Sequence, residues 1–352
     1  MNRIASTLVI AMALSALAGT AIAQDLPKTN FKVVGLQSHL TSFKAGERPL
    51  WEETIPAASQ GAITGEITPQ DLSGLQGPEI LRLMKLGVID LASGVIGYMA
   101  GDNPEFDGVD LAGVSPDMAT TRAVVEAYMP TLQEVMATQY NAKLLMLFPS
   151  PPQVMWCRSP VESVADLQGK KVRVFTTSMA ELVENLGGTT VTMPFAEVTT
   201  SLERGVIDCA VTGTLSGNTN RLFEVTSHMY GLYSGWSVHF TAISLSSWNK
   251  LDPSVQDFLT EQYAAFNEQI WASVAEEEID GINCSIGIDP CQFGFKGDMT
   301  FVAPSEADLA ASRRIVEQVV VPNWAERCGE ECTAKWLDTV GKVVGIEASS
   351  LQ

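Results

Sequence analysis

Positive charge is scarce in this sequence. Its 352 residues hold 22 Lys and Arg against 41 Asp and Glu, a formal net charge of −19. A nucleic-acid binder needs a basic face to neutralise phosphates, so that class is set aside. The excess of acids fits a well-solvated surface and names no ligand by itself. Histidine is scarcer still: His39, His228 and His239 are the three, and none stands at ligand spacing from a cysteine. With no zinc-type spacing, neither a metal nor another cofactor is expected. There is no Gly-x-Ser-x-Gly elbow and no recognisable frame of nucleophile and base, which makes an enzyme the least favoured function class. Past the N-terminus no apolar run approaches the roughly 20 residues that span a bilayer, so the folded chain is not expected to be membrane-embedded.

What is present begins with an address. Arg3, the short apolar run 8–17 and the small-x-small site Ala21-Ile22-Ala23 form the pattern of a secretory signal peptide over residues 1–23. The mature chain would begin at Gln24, with no cysteine there to carry a lipid, and would reside in the periplasm. Six cysteines in an exported chain suggest disulfides. Of the 15 possible connectivities, about the simplest pairs the close neighbours Cys284–Cys291 and Cys328–Cys332 and leaves Cys157 for Cys209.

The most ordered pattern lies in residues 166–213. It reads strand, helix, strand, helix, strand, with a lone Arg173 in an apolar, β-branched run. Ser178-Met179-Ala180-Glu181 has capping-box spacing, so a helix is expected to start there. Gly187-Gly188 stops that helix, and residues 206–211 form the third strand. Residues 31–92 repeat the β-α-β-α-β order, with a strand over 88–92. The six residues from Gly87, Gly-Val-Ile-Asp-Leu-Ala, match Gly-Val-Ile-Asp-Cys-Ala from Gly205, at the same helix-to-strand junction. Such alternation favours parallel sheets covered by helices, which bind ligands at the carboxyl ends of their strands. Strands over 141–148 and 154–158, broken by Pro149–Pro152, cross from one αβ unit to the other, and an apolar strand over 238–245 returns. Residues 253–282 then carry a long helix signal, with Phe258, Leu259, Tyr263, Phe266, Ile270, Trp271 and Val274 at helical spacing. The implied fold is α/β with two lobes, a cleft between them and hinge closure around a ligand. The expected division is 24–150 with 239–280, 151–238 with 281–325, and a helical tail over 326–352.

At residues 166–208 the chain resembles the solute-binding proteins of tripartite ATP-independent periplasmic (TRAP) transporters, of the DctP type. Asp166, Leu167, Gly169, Lys171, Val172 and Arg173 follow that family's first motif. Met193, Pro194, Phe195, Glu197, Val198, Leu202, Gly205, Val206, Ile207 and Asp208 follow its second. The resemblance implies a two-lobed periplasmic (Venus flytrap) receptor that captures a small organic acid and delivers it to a membrane permease, with no enzymatic step. It also implies that Arg173 pairs with the ligand carboxylate. A guanidinium fork suits that task, because it is always charged and binds carboxylates in a bidentate way. The family's motif commonly continues with Gly-Gln-Glu-Asn-Pro, where this chain has Cys209-Ala210-Val211-Thr212-Gly213, so Thr212 replaces an asparagine. That wall of the pocket is expected to be rebuilt. Further cleft candidates are Gln153 on the crossing strand, Trp236 before the returning strand, and His39 and Tyr98 after first-lobe strands. Two alternatives stay open. A small amine or zwitterion such as ethanolamine could bind between aromatic rings and the acids Asp102, Glu105 and Asp107; an exported enzyme is the weaker of the two.

Overall fold

The computed structural model describes residues 26–75, 77 and 79–351. The expected signal peptide and the start at Gln24 lie outside the described residues. Among the described residues eleven strands form the framework: β1 (Thr29–Gly35), β2 (Ile63–Pro69), β3 (Leu91–Val95), β4 (Ala142–Phe148), β5 (Gln153–Cys157), β6 (Lys171–Val174), β7 (Thr189–Thr192), β8 (Cys209–Gly213), β9 (His228–Tyr230), β10 (His239–Ser244) and β11 (Thr300–Val302). They make two sheets, in the orders β2-β1-β3-β10-β4 and β11-β9-β5-β8-β6-β7. In the first sheet β1 runs parallel to β2 and β3, and β10 is antiparallel to β3 and β4. In the second, β6 is parallel to β7 and β8, and β5 is antiparallel to β8 and β9. Each sheet is thus a parallel unit with one reversed strand inserted, and the reversed strands β5 and β10 are the ones that enter from the other sheet.

The two crossings lie against each other. Ser150 N donates to Trp236 O at 2.8 Å, Gln153 N to Gly235 O at 2.8 Å, and Ser234 N to Gln153 O at 3.0 Å. The Asp110 carboxylate accepts from Trp236 N at 2.9 Å and Val238 N at 3.2 Å, which fixes the returning crossing from outside. Burial lifts the Asp110 pKa to about 7 despite those bonds.

The helix Pro253–Ser285 begins at Asp252, whose side chain caps Ser254 N at 2.9 Å. At 33 residues it is about 50 Å long, enough to run past both sheets. Its first part buries Val255, Leu259, Tyr263, Phe266 and Ile270 against the first sheet. Near its end Gly281 lets the backbone of Thr214–Thr219 come close: a Cβ there would stand 2.4 Å from Leu215 N. The C-terminal helices are tied inward by indoles. Trp324 Nε1 donates to Pro104 O at 2.8 Å and Trp336 Nε1 to Gly108 O at 2.7 Å. Arg327 pairs with Glu181 on the helix Thr177–Asn185. The disulfides are Cys157–Cys209, Cys284–Cys291 and Cys328–Cys332, the last two as proximity in sequence suggested and the first as the pair left over.

Three expectations shift. The strands β3 and β8 start at Leu91 and Cys209, three residues later than the apolar runs at 88 and 206 suggested. The cause is the same in both copies. Gly87 (φ 72°) and Gly205 (φ 70°) close helices, and the next amide turns back into the helix, Val88 N to Leu83 O and Val206 N to Ser201 O, both at 2.9 Å. An amide used in this six-residue closure cannot join a ladder. Val88 and Val206 are accordingly 68% and 50% exposed, whereas Ile89 and Ile207 are buried. The third shift is a cap. Thr176, not Ser178, is the N-cap of the helix Thr177–Asn185, its hydroxyl accepting from Met179 N at 3.1 Å. Ser178 lies inside the helix and donates to Asp107 Oδ1 at 3.1 Å.

Candidate functional site

The carboxyl ends of the parallel strands and the beginnings of β5 and β10 converge on one chamber. The first sheet contributes Gln37 and His39, just past β1, with Val95 at the end of β3 and Tyr98 in the turn after it. The crossings contribute Ser150, Gln153, Ser237 and His239, and the second sheet contributes Arg173, Phe175, Thr212 and Phe195. The chamber volume is about 40 Å³. Since a water needs roughly 10–15 Å³ by the same kind of measure, the chamber takes a group about the size of a carboxylate. An outer cavity of about 590 Å³ adjoins it and shares Gln37, His39, Tyr98, Phe175 and Phe195 with it.

Arg173 dominates the chamber. Alternation along β6 puts Val172 and Val174 in the core and turns Arg173 to the opposite face. The side chain is 1% exposed. Its Nε donates to Met193 O at 3.1 Å, past the end of β7, and its Nη1 to Val211 O at 2.9 Å on β8. Nη2 is buried and has no hydrogen-bond partner among the described residues. The guanidinium stacks over Phe175 at 5.1 Å and Phe195 at 5.7 Å. Burial lowers its pKa, and the Tyr98 hydroxyl opposes that shift. Among the described residues no carboxylate lines the chamber, so the Arg173 charge is left for something entering it. An unpaired charge at such depth is costly to hold, and a ligand anion would relieve it.

Two imidazoles complete the polar lining. His39 stacks on Phe195, with centroids 5.0 Å apart and planes at 18°, so it joins the two sheets across the cleft. Its Nε2 is buried and has no partner among the described residues. Burial lowers its pKa to about 4, with Asp71 opposing and Lys44 adding a little. His239 stacks on Phe148 at 5.3 Å, its Nδ1 stands 3.4 Å from Ser150 Oγ, and burial lowers its pKa to about 3. Both rings are therefore neutral at neutral pH, each with one donor and one acceptor nitrogen. Tyr98 meets Phe175 edge-on at 5.7 Å, again across the cleft.

Of the six residues singled out from the sequence, His39, Tyr98, Gln153, Arg173 and Thr212 line this chamber. Trp236 does not. It is 1% exposed, donates its Nε1 to Ser115 O at 3.0 Å and packs edge-on against Tyr233, so it anchors the crossing instead of facing a ligand. The acids considered for an amine are also elsewhere. Asp102, Glu105 and Asp107 line neither the chamber nor the outer cavity, and Asp107 is buried behind Ser178 with its pKa pushed up to about 7 by burial. His239, Ser150, Ser237 and Phe175 escaped sequence reasoning as site residues. Their common signal is position: each starts a strand assigned to the cleft edge or stands within two residues of one.

A deep chamber between two αβ sheets, joined by paired crossings and one long helix, defines a two-lobed solute-binding protein. The chain belongs to the bacterial extracellular solute-binding protein family 7 (DctP), whose model matches residues 38–322. A solute-binding protein of Roseobacter denitrificans is 26% identical over 311 residues, covering 82% of this chain and 83% of the relative. The fold matches the solved TRAP periplasmic solute-binding protein of Desulfovibrio salexigens with bound orotic acid, at TM-score 0.79 and 16% identity, covering 90% of this chain and 98% of that one. It likewise matches a Roseobacter denitrificans TRAP protein with bound L-galactonate, at TM-score 0.74 and 20% identity, covering 90% and 99%. The family is extracytoplasmic and works with membrane permeases. Among the described residues no helix is long and apolar enough to cross a membrane.

Proposed function

We propose that this protein is the periplasmic receptor of a TRAP transporter, taking a small organic acid into the interlobe cleft and delivering it to the membrane permease. The observation that carries the reading is Arg173 Nη2, a buried cationic donor that has no partner among the described residues, in a chamber that none of their acids lines. A carboxylate there would take a charge-assisted bond from Nη2 and a second from the His39 ring when Nε2 carries the proton. Thr212, Gln153 and the serines of the crossings supply short polar contacts for whatever stands next to the carboxylate. The lobes that close are the two sheets with their helices: residues 24–150 with 239–280, and 151–238 with 281–325, with 326–352 as a helical tail. A small amine fits less well, because the aromatic faces that would cradle an ammonium, Phe175 and Phe195, already stack on the Arg173 guanidinium. The test is a thermal-shift screen of carboxylic acids, sugar acids and amines at saturating concentration. Acids are expected to raise the melting temperature and amines to leave it unchanged; a response to amines alone would overturn the proposal.

A further inference from the structure

The inner chamber and the outer cavity differ in the sign of their charge. Among the described residues Arg173 is the only permanent cation lining the chamber, where burial keeps both His39 and His239 neutral at neutral pH. Among the described residues no Lys or Arg lines the outer cavity, and Asp71 is the one acid that does. That carboxylate accepts Ser38 N at 2.8 Å and Ser38 Oγ at 2.5 Å. Burial pushes its pKa up, but the Ser38 hydrogen bonds outweigh that and hold it below the ordinary carboxylate value, so Asp71 is ionised at neutral pH.

Building on the carboxylate reading above, we propose that the cleft selects acids carrying one negative charge, with the carboxylate on Arg173, an uncharged body in the outer cavity, and Asp71 turning away a second carboxylate. The geometry divides the ligand this way. The chamber, at about 40 Å³, holds an acid group and little more, so the remaining atoms project into the 590 Å³ outside. Arg173 has Nε and Nη1 already bound to main-chain carbonyls, which leaves one end of the guanidinium for one carboxylate. A second carboxylate on the same ligand would stand in the outer cavity, partly stripped of water, with no cation to meet it and a like charge in the wall. An unpaired charge in that position is disfavoured. Asp71 adds Coulomb repulsion, moderated because its side chain is exposed enough for solvent to screen it.

The experiment compares acids that share a skeleton and differ by one charge. Succinamate against succinate, and galactonate against galactarate, are titrated calorimetrically into the wild-type protein and Asp71→Asn at low salt and neutral pH. The monoacid of at least one pair is expected to bind about tenfold or more tighter than its diacid. Asp71→Asn is expected to narrow that gap by about threefold, the diacid gaining more affinity than the monoacid. Should the variant not fold, raising wild-type salt to about 0.5 M replaces it, since screening narrows the gap in the same direction. A diacid that binds as tightly as its partner overturns the inference but leaves the carboxylate reading intact. A gap that neither the variant nor salt narrows removes Asp71 from it. If no acid binds, the carboxylate reading itself fails and this inference fails with it.

Discussion

Replacing Arg173 by Lys keeps the charge and removes the fork, and so separates two contributions that the wild type combines. The guanidinium now holds Met193 O and Val211 O at 3.1 and 2.9 Å while Nη2 stays free. An ammonium has three donors on a shorter reach. If it keeps both carbonyls, one donor at most is left for a ligand; if it turns to the ligand, a buried carbonyl loses its partner. The guanidinium meets these three acceptors from three separate nitrogens, which one ammonium nitrogen cannot do at once, so at least one charge-assisted bond is lost, a loss of about 1.5–3 kcal/mol. At a factor of ten per 1.4 kcal/mol, the dissociation constant for any acid identified by screening should rise roughly 10- to 100-fold. The control is Arg313→Lys, at an exposed helical position remote from the chamber. Calorimetry on both variants, with melting curves to confirm folding, gives the answer. An Arg173→Lys affinity within about twofold of wild type would refute the contact, because no geometry of a single ammonium replaces the fork without loss.

Other predictions follow from particular contacts. A Cβ at Gly97 would lie 2.8 Å from Thr176 Cγ2 across the cleft, so Gly97→Val should hold the lobes apart and weaken acid binding about tenfold by calorimetry, with unchanged affinity refuting the contact. Asp107 is buried with its pKa raised from 3.8 to about 7, so the unfolded chain releases this proton earlier and stability is lost as pH rises from about 4 to about 7. Asp107→Asn should therefore gain roughly 1–3 kcal/mol over wild type at pH 8 relative to pH 4 in urea melts; a pH-independent difference would count against this. The Cys157–Cys209 bond closes a separation of 52 residues, and changing both residues to Ser should lower stability by about 2–4 kcal/mol in denaturant titration.

Much of the fold was legible because the pattern carries its own physics. Arg173 stands out in an apolar strand, a position that demands a partner, and the chamber is built around it. The long helix announced itself through apolar residues at helical spacing. The reading slipped where tertiary geometry outweighs composition. Val88 and Val206 look like strand residues, yet the glycines before them send their amides back into the preceding helix. Ser178 has capping-box spacing, but the strand before it ends early enough for Thr176 to cap instead. Trp236 was misplaced because both a ligand-stacking and a packing tryptophan are apolar in sequence; only the Ser115 carbonyl 121 residues away decides between them. His239 and Ser150 meet through segments distant in the chain, and single residues beside strand ends carry no local signal of that meeting.

The claim at the centre is that a ligand carboxylate sits in the chamber on Arg173. A crystal structure of the protein with an acid found by screening tests it most directly. A carboxylate oxygen is expected within about 3 Å of Arg173 Nη2, with the ligand body directed toward the outer cavity. A bound acid that leaves Nη2 without a partner, or lies wholly in the outer cavity, would contradict it.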